Sequence, residues 1–358
     1  MNLSARTRMR RVRELGEGFT ALNKGGRVVK TDPLKAKLDG LQTLRSADTA
    51  AATSGVRIGL ADRSNYVVAR AATIAGDLYL LPLLGDLLAA FDRLFTDPLK
   101  SDQLCLGKNA IAQALKNLDL RDAAPFIRGL NHIQFEPVWG GKADTGGGLR
   151  ATCAQALIAC DLDDIAILGH LVDHLTDSDK AVRLDVIIAI AHYDRPESAM
   201  LLRLKASAGD REPEVVGQCF LSLLDLSPVP SITFIERFLT SDDPEIVFEA
   251  AAALAQSREP EALNVVQRFW YEKIDFDLRR AIIMSLAGSP LAAAADFLLS
   301  LVAGSDRDIA KAAISAIATS RFREDAREKT RAAVDRASNR ELSTAFLAAF
   351  GAGLGAPD

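Results

Sequence analysis

The stretch Asp243-Pro-Glu-Ile-Val-Phe-Glu-Ala-Ala-Ala-Ala-Leu254 decides the fold. Asp243 is of the residue type that caps a helix by accepting the free N–H groups of its first turn. Apolar Ile246 then stands seven residues before a small residue, Ala253, which another apolar residue follows, so the apolar side chains fall on one helical face. The stretch predicts a short helix that packs closely against its neighbours.

The same signature occurs nine times along the chain. Its first apolar residues are Val68, Gly107, Leu149, Val182, Val215, Ile246, Leu278, Ile309 and Leu342. The eight spacings between them are 39, 42, 33, 33, 31, 32, 31 and 33 residues. A fixed period of this length indicates stacked supersecondary units that bury a core only by packing on one another.

Each unit is predicted to hold two helices, A and B. Prolines are predicted to open helix A at Pro196, at Pro228 or Pro230, at Pro260 and at Pro290, because a first helical position needs no N–H. Asp-rich turns precede helix B, and no segment alternates with a period of two. The prediction is therefore an all-α protein with essentially no sheet, an α-solenoid of about nine stacked antiparallel helix pairs.

The pattern resembles the HEAT repeat, most clearly in Asp179-Lys-Ala-Val-Arg183 and in residues 243–254. Its short period is similar to that of phycobilisome-lyase-type HEAT-like repeat proteins, and the resemblance covers residues 50–352. That superfamily includes scaffolds, lyase subunits, hydroxylases and glycosylases. The resemblance thus implies an architecture, and the function has to be argued from a site.

Charge is divided unevenly along the chain. Residues 1–45 hold eleven Lys and Arg against four Asp and Glu, whereas the remainder is acidic. An acidic body argues against general nucleic-acid binding, which depends on Lys and Arg that neutralise phosphates. Residues 1–45 are the only candidate for such binding.

Two helices are predicted at the amino end, within a basic cap assigned to residues 1–48, and the solenoid is assigned to residues 49–358. The first, Arg-rich and amphipathic, covers residues 5–22, with Val12, Leu15, Phe19 and Leu22 on one face. The second starts at Asp32-Pro33. Two interpretations stay open: a cap over the apolar face of the first repeat, or a basic arm for an acidic partner or membrane surface.

Cellular location follows from the cysteines and from the absence of long apolar runs. Cys105, Cys153, Cys160 and Cys219 lie among apolar neighbours without a CxxC pair, which predicts buried free thiols. No apolar run reaches the roughly 18 residues of a membrane span, and no secretory signal precedes the first repeat. A reducing cytoplasm and no membrane partner are expected.

The sequence predicts no site for catalysis, for a metal or for a cofactor. Resemblance to deoxyhypusine-hydroxylase-like HEAT proteins would imply His-Glu dipeptides, but no histidine here precedes a glutamate. His170 and His174 stand four apart on one predicted helix, without an evident third zinc ligand. Residues 146–151 match a dinucleotide fingerprint but lack the preceding strand that it requires. We expect neither a metal nor a cofactor.

Charged residues recur in register with the repeat. Asp102, Asp144, Asp177 and Asp210 stand five residues before the signature, and Lys108, Arg150 and Arg183 stand one residue after its start. In a stack these form two parallel columns. We interpret them as a structural ladder of caps and ion pairs, with a ligand-reading polar strip as the alternative.

The two long spacings are the best functional clue. Their surplus residues fall in the A-to-B turns at residues 95–101 and 133–147, which should lie side by side on one edge of the solenoid. Insertions on one face are often where repeat proteins bind. The second turn places Phe135, Glu136, Trp139 and Lys142 as candidate partner-binding residues, with Trp139 as the anchor.

The sequence therefore predicts a non-enzymatic scaffold or adaptor that binds a protein of unknown identity through an edge or the concave surface. One alternative is an enzyme or enzyme subunit on a HEAT scaffold, phycobilin-lyase-like or DNA-glycosylase-like. Another is an anion or nucleic-acid binder that acts through residues 1–45.

Overall fold

The structure is a computed structural model that describes residues 32–272 and 274–351. The helix predicted for residues 5–22 lies outside the described residues, as does the segment after residue 351. The described residues contain twenty α-helices and one pair of short strands.

Nine helix pairs follow one another, preceded by α1 (Pro33–Thr43). Helix A of the successive pairs is α2 (Thr49–Leu60), α4 (Leu84–Leu94), α7 (Ala124–Leu130), α9 (Asp164–Asp173), α11 (Pro196–Ala208), α13 (Pro228–Glu236), α15 (Pro260–Trp270), α17 (Ala292–Gly304) and α19 (Arg323–Ala337). Helix B is α3 (Asn65–Asp77), α6 (Leu106–Asn117), α8 (Gly147–Leu157), α10 (Lys180–Tyr193), α12 (Pro213–Leu226), α14 (Pro244–Gln256), α16 (Phe276–Leu286), α18 (Arg307–Thr319) and α20 (Arg340–Phe350). Each of the nine signature residues lies in a helix B, so the repeat prediction is confirmed.

Aspartate caps start many of the B helices, as the sequence predicts. The Asp243 carboxylate accepts a hydrogen bond from Glu245 N at 2.9 Å, and Pro244 occupies the first helical position of α14. Asp275 caps α16 in the same way, at 2.8 Å from Leu278 N. These carboxylates satisfy donors that the first turn would otherwise leave free.

The B helices form a continuous inner layer. Each packs against the B helix before and after it, from α3 to α20. Buried Ala, Val, Leu and Ile join all nine pairs into one hydrophobic core that runs from Leu41 to Phe350. Such neighbour-to-neighbour packing is the geometry of a solenoid.

Helix α1 covers the first pair. Leu41 is buried, and Leu34, Leu38 and Leu44 are half-buried against the core. The opposite face of α1 exposes polar side chains, including Lys35 and Lys37. The described part of the predicted amino-terminal cap therefore has the polar outer face that a terminal repeat requires.

The prediction of essentially no sheet is confirmed, since the strands of the described residues are confined to one turn. The turn between α7 and α8 forms an antiparallel hairpin of β1 (Phe135–Val138) and β2 (Gly141–Asp144). Gly140 makes the tight connection possible, because its φ of 89° is a conformation that side chains with a Cβ rarely adopt. The other insertion contains a four-residue helix, α5 (Pro98–Ser101).

The thiols are buried and free, as the sequence predicts. All four cysteines are buried and free. Burial raises the pKa of Cys105 and of Cys160 to about 11, so both are protonated at neutral pH. Among the described helices, none has the length and apolar character needed to cross a membrane.

Candidate partner-binding surface

The two insertions touch, which confirms that they lie side by side. Both connect helix A to helix B, in the second and third pairs. Leu104 N, three residues after the first insertion, donates to the Glu136 carboxylate of the hairpin at 2.6 Å. The Gln134 side-chain amide donates to the carbonyl oxygen of Asp102 at 2.9 Å. Phe95 packs edge-on against His132, with ring centroids 4.9 Å apart.

Apolar side chains project from this edge into solvent. Trp139, at the tip of the hairpin, is fully exposed at 104%, and Phe135, Val138, Ile133 and Leu104 are exposed by about half. We call these five residues the hairpin patch. An apolar surface that is left in water costs free energy, and such surfaces on folded proteins often mark binding sites.

Three of the four predicted site residues are exposed, and the fourth is buried. Trp139 and Phe135 lie in the hairpin patch, and Lys142 is exposed beside it on β2. Glu136 is 8% exposed and turns inward. The prediction that Glu136 binds a partner therefore does not fit the structure, because its carboxylate accepts hydrogen bonds within the fold.

Glu136 fixes the hairpin to the neighbouring turn. One carboxylate oxygen accepts hydrogen bonds from Leu104 N at 2.6 Å, the Gln134 amide at 2.6 Å and the Thr145 hydroxyl at 2.8 Å. Burial opposes ionisation, but these hydrogen bonds keep the pKa of Glu136 below its ordinary value. Leu104 and Cys105 have positive φ values of 61° and 51°. The hydrogen bond to Leu104 N helps to hold this strained backbone.

A buried ion pair lies beneath the hairpin. Lys108 Nζ is 3.1 Å from the Asp102 carboxylate, and both side chains are fully buried. Lys108 also donates to the side-chain oxygen Oε1 of Gln134 at 3.0 Å, and a ring nitrogen of His132 is 3.1 Å from the same oxygen. Because a buried pair is stable only when its remaining polar atoms are satisfied, Gln134 links the hairpin to the core of the second pair.

The base of the hairpin continues into the predicted ladder. Arg150 bridges two repeats: it pairs with Asp144 at 2.8 Å and binds Asp177 through two nitrogens at 2.8 and 2.9 Å. Arg183 binds Asp210 of the following pair in the same bidentate way, at 2.9 and 2.7 Å. The structural ladder is thus confirmed: Arg150 and Arg183 each reach the next repeat, whereas Lys108 pairs with Asp102 of its own repeat.

The ladder shifts the ionisation of its carboxylates. Although burial opposes it, hydrogen bonds from His174 and Arg150 keep the pKa of Asp177 well below its usual range. Arg183 and Lys205 similarly lower the pKa of Asp210 to about 2. Such pairs stay ionised at neutral pH and rigidify the stack on which the hairpin stands.

The hairpin edges do not suit the addition of a partner strand. Thr145 N donates to the Gln134 carbonyl oxygen at 2.8 Å, so the alternating pattern turns the main-chain groups of Phe135, Pro137 and Lys142 outward. Pro137 has no N–H to donate, and a lysine on the other edge discourages strand pairing. Recognition at this site therefore depends on side chains at the tip.

Other residues singled out in the sequence lie away from the hairpin patch or are already engaged. His174 Nδ1 is 3.5 Å from the Asp177 carboxylate. The Asp144 carboxylate accepts from Gly146 N at 2.9 Å, which occupies the start of the glycine-rich turn. Within residues 32–272 and 274–351, no group of three His, Cys, Asp or Glu side chains is arranged to hold a metal ion.

Sequence reasoning missed Gln134, Leu104 and Ile133 as parts of the site. Gln134 is 2% exposed and joins both insertions, although nothing in its local sequence distinguishes it from a surface glutamine. Leu104 and Ile133 add exposed apolar surface. The only signal available for them was their position within or next to an insertion.

Comparison with known proteins agrees with the architecture. Two overlapping matches to a model of HEAT repeats cover residues 201–287 and 231–318. No curated protein matches the chain. Among solved structures, human deoxyhypusine hydroxylase in complex with glycerol is similar at 16% identity with a TM-score of 0.28, over 72% of this chain and 91% of that chain. At that TM-score the similarity supports no inference about this chain.

The carboxyl-terminal half of the chain thus carries the family signal, and the amino-terminal half continues the same stack of pairs. Residues 201–318 therefore match HEAT repeats, and they lie within a stack of nine helix pairs that share one arrangement.

Proposed function

We propose that this protein is a non-enzymatic interaction scaffold that binds a partner protein through the hairpin patch. The observation that carries the proposal is Trp139, which is fully exposed at the tip of a hairpin whose base is buried and hydrogen-bonded. A solvent-exposed indole contributes no packing energy to the fold. It gains that energy only when a partner covers it.

Rigidity supports the same function. The hairpin is held by Glu136, Gln134 and the Asp144–Arg150 pair, so the patch is already arranged before a partner arrives. A preorganised surface loses less conformational entropy on binding. Energy at interfaces concentrates in a few residues, of which tryptophan is among the most frequent.

The partner is expected to offer an apolar pocket for Trp139, with Phe135 and Val138 packing around its rim. Lys142 forms no hydrogen bond or ion pair with any residue that the structure describes, and it is free to meet an acidic group at the rim. Rim charges affect the association rate and specificity more than affinity. The buried thiols are compatible with the cytoplasmic location expected from the sequence.

An enzymatic role is the second candidate that the sequence left open. Its chromophore-lyase form rests on the short repeat period alone, and its glycosylase form requires a basic surface near aromatic residues. The hairpin patch carries aromatic residues, but buried acids and bases lie beneath it in pairs that satisfy one another. This arrangement favours recognition over catalysis.

The proposal is tested with affinity purification of the tagged full-length chain from its native cell, followed by titration of the protein that is captured. Trp139→Ala should weaken binding by roughly 2 kcal/mol or more. The thermal midpoint should not change, because the side chain is fully exposed.

Tyr271→Ala is the matched control, since Tyr271 is an aromatic residue that is 76% exposed outside the hairpin. It should bind the captured protein as the wild type does. If Trp139→Ala binds the captured protein as tightly as the wild type does, the hairpin patch is not part of the interface. A Trp139 variant that melts markedly earlier would show that the indole belongs to the fold.

A further inference from the structure

A second surface lies on the inner layer, five repeats into the stack. The amino-terminal turns of α12, α14 and α16 enclose a groove of about 590 Å³. Phe248, Leu278 and Ala281 give it an apolar floor, and Phe248 is 40% exposed. An exposed phenylalanine in a groove of this size can pack against an inserted side chain.

Five carboxylates rim this groove, which we call the acidic groove. They are Glu214, Glu245, Glu249, Asp275 and Asp277. Glu214 binds Lys180 at 2.7 Å, and Asp275 caps α16. The other three make no hydrogen bond or ion pair through their side chains within the described part of the chain.

Glu249 is the deepest of these carboxylates. It lies against α12 at Gly217, where a Cβ would leave no room for its carboxylate oxygen. Burial and the nearby Glu214 and Glu245 raise the pKa of Glu249 above its ordinary value. Like charges this close, around an apolar floor, favour a cationic occupant that also carries apolar side chains.

The chain itself contains a segment of that chemistry. Residues 1–31 hold eight Lys and Arg against two Asp and Glu. Within them, residues 5–22 read as an amphipathic helix with Val12, Leu15, Phe19 and Leu22 on one face. Helix α1 already covers the first pair with a polar outer face, so this apolar face is not needed there.

The distance between the first pair and the acidic groove favours an occupant from a second copy. From α3 to α14 the inner layer advances five helices, about 40–50 Å at the usual spacing of packed helices. Residues 23–31, which connect the predicted helix to the described chain, span at most about 32 Å, so a segment of the same chain would lie across the groove only with these residues fully extended. A second copy has no such constraint.

We propose that the acidic groove binds the basic segment 5–22 of a second copy, so that copies associate through a contact between unlike surfaces. Arginines of the segment face the carboxylate rim, and its apolar face covers Phe248 and Leu278. Contacts of this kind form rings or chains unless two copies exchange segments reciprocally. The proposal is independent of the hairpin patch.

Charge reversal in the full-length chain tests this contact. The groove variant carries Glu245→Lys and Asp277→Lys, and the segment variant carries Arg10→Glu and Arg13→Glu. Sedimentation velocity at low salt should show that the wild type self-associates, and that salt weakens the association. Each variant alone should associate at least about tenfold more weakly, because attraction becomes repulsion.

Mixing the two variants gives the sharpest result. An equimolar mixture should associate again, because each basic surface then meets an acidic one. Glu197→Lys with Glu261→Lys is the matched control, since these exposed glutamates also follow helix-opening prolines and change the net charge equally. This control should associate as the wild type does.

Three results would overturn the proposal. A wild type that stays monomeric at every concentration would exclude the contact between copies, including the case in which the segment folds onto its own chain. A groove variant that associates like the wild type would place the contact elsewhere. A mixture that fails to associate would show that segment and groove do not meet.

Discussion

The Glu136 carboxylate joins the hairpin to Leu104 N, which stands 32 residues earlier in the sequence. Glu136→Ala would remove the acceptor of the partly buried Leu104 N and one of the two acceptors of the buried Gln134 amide. The unfolding free energy measured in urea should fall by roughly 1–3 kcal/mol. Hydrogen exchange at Leu104 N should accelerate, since this amide would lose its protecting acceptor.

Lys142→Ala on the same hairpin is the control, because Lys142 is exposed and should change neither quantity. Unchanged exchange at Leu104 in the Glu136 variant would mean that the first insertion holds its own shape. In that case the hairpin would not depend on its neighbour.

Asp210 gives the ladder a measurable pH dependence. Its pKa of about 2 in the folded chain lies below the value near 4 of an unfolded aspartate. The ionised pair with Arg183 therefore stabilises the fold fully above about pH 5, and this contribution is lost as the pH falls toward 2. The stability advantage of the wild type over Asp210→Asn should shrink by roughly 2 kcal/mol across that range.

Urea unfolding at several pH values measures this difference. Asp242→Asn is the control, because Asp242 is exposed and makes no ion pair with a described residue. If the difference in unfolding free energy between the wild type and Asp210→Asn stays constant with pH, the neighbours of Asp210 do not lower its pKa.

At the scale of elements, the hairpin can be shortened without disturbing its base. Glu136 and Ala143 are cross-strand partners, so an Asn-Gly turn can replace residues 137–142 between them. This variant keeps the Glu136 hydrogen bonds and removes Val138 and Trp139. The helical signal and thermal midpoint should stay unchanged, and partner binding should fall at least as far as with Trp139→Ala.

Full binding by the shortened chain would assign recognition to Leu104, Ile133 and Phe135, which it retains. A lower thermal midpoint would instead show that the tip contributes to folding. Circular dichroism and titration with the captured partner distinguish these outcomes.

The hairpin also shows where sequence reasoning ends. Its strands are four residues long and include Pro137, so they show no clear alternation of apolar and polar residues. The burial of Glu136 and of Gln134 follows from contacts with Leu104 and Asp102, which the local sequence does not contain. Position within an insertion was enough to predict an exposed edge, but not to predict which of its residues are exposed and which are buried.

Across the whole molecule, the repeat period predicted more of the fold than any single motif did. Every helix B begins within about a turn of its signature residue because the small residues that permit close packing recur with the unit itself. The columns of Asp and Arg were also predictable, since stacking aligns equivalent positions. Which arginine reaches the next repeat was not predictable, because that depends on the distance between pairs.

Deletions at the amino end test the whole-molecule division between cap and arm. Removing residues 1–31 keeps α1, so the thermal midpoint should match the wild type when both are measured at concentrations where the wild type is monomeric. Removing residues 1–45 also takes away buried Leu41 and the half-buried leucines of α1. That deletion should lower the unfolding free energy by at least about 1.5 kcal/mol and promote aggregation, because the apolar face of the first pair becomes exposed. If removing residues 1–31 destabilises the chain as much as the longer deletion, the basic segment is itself part of the cap and is not free to bind a second copy.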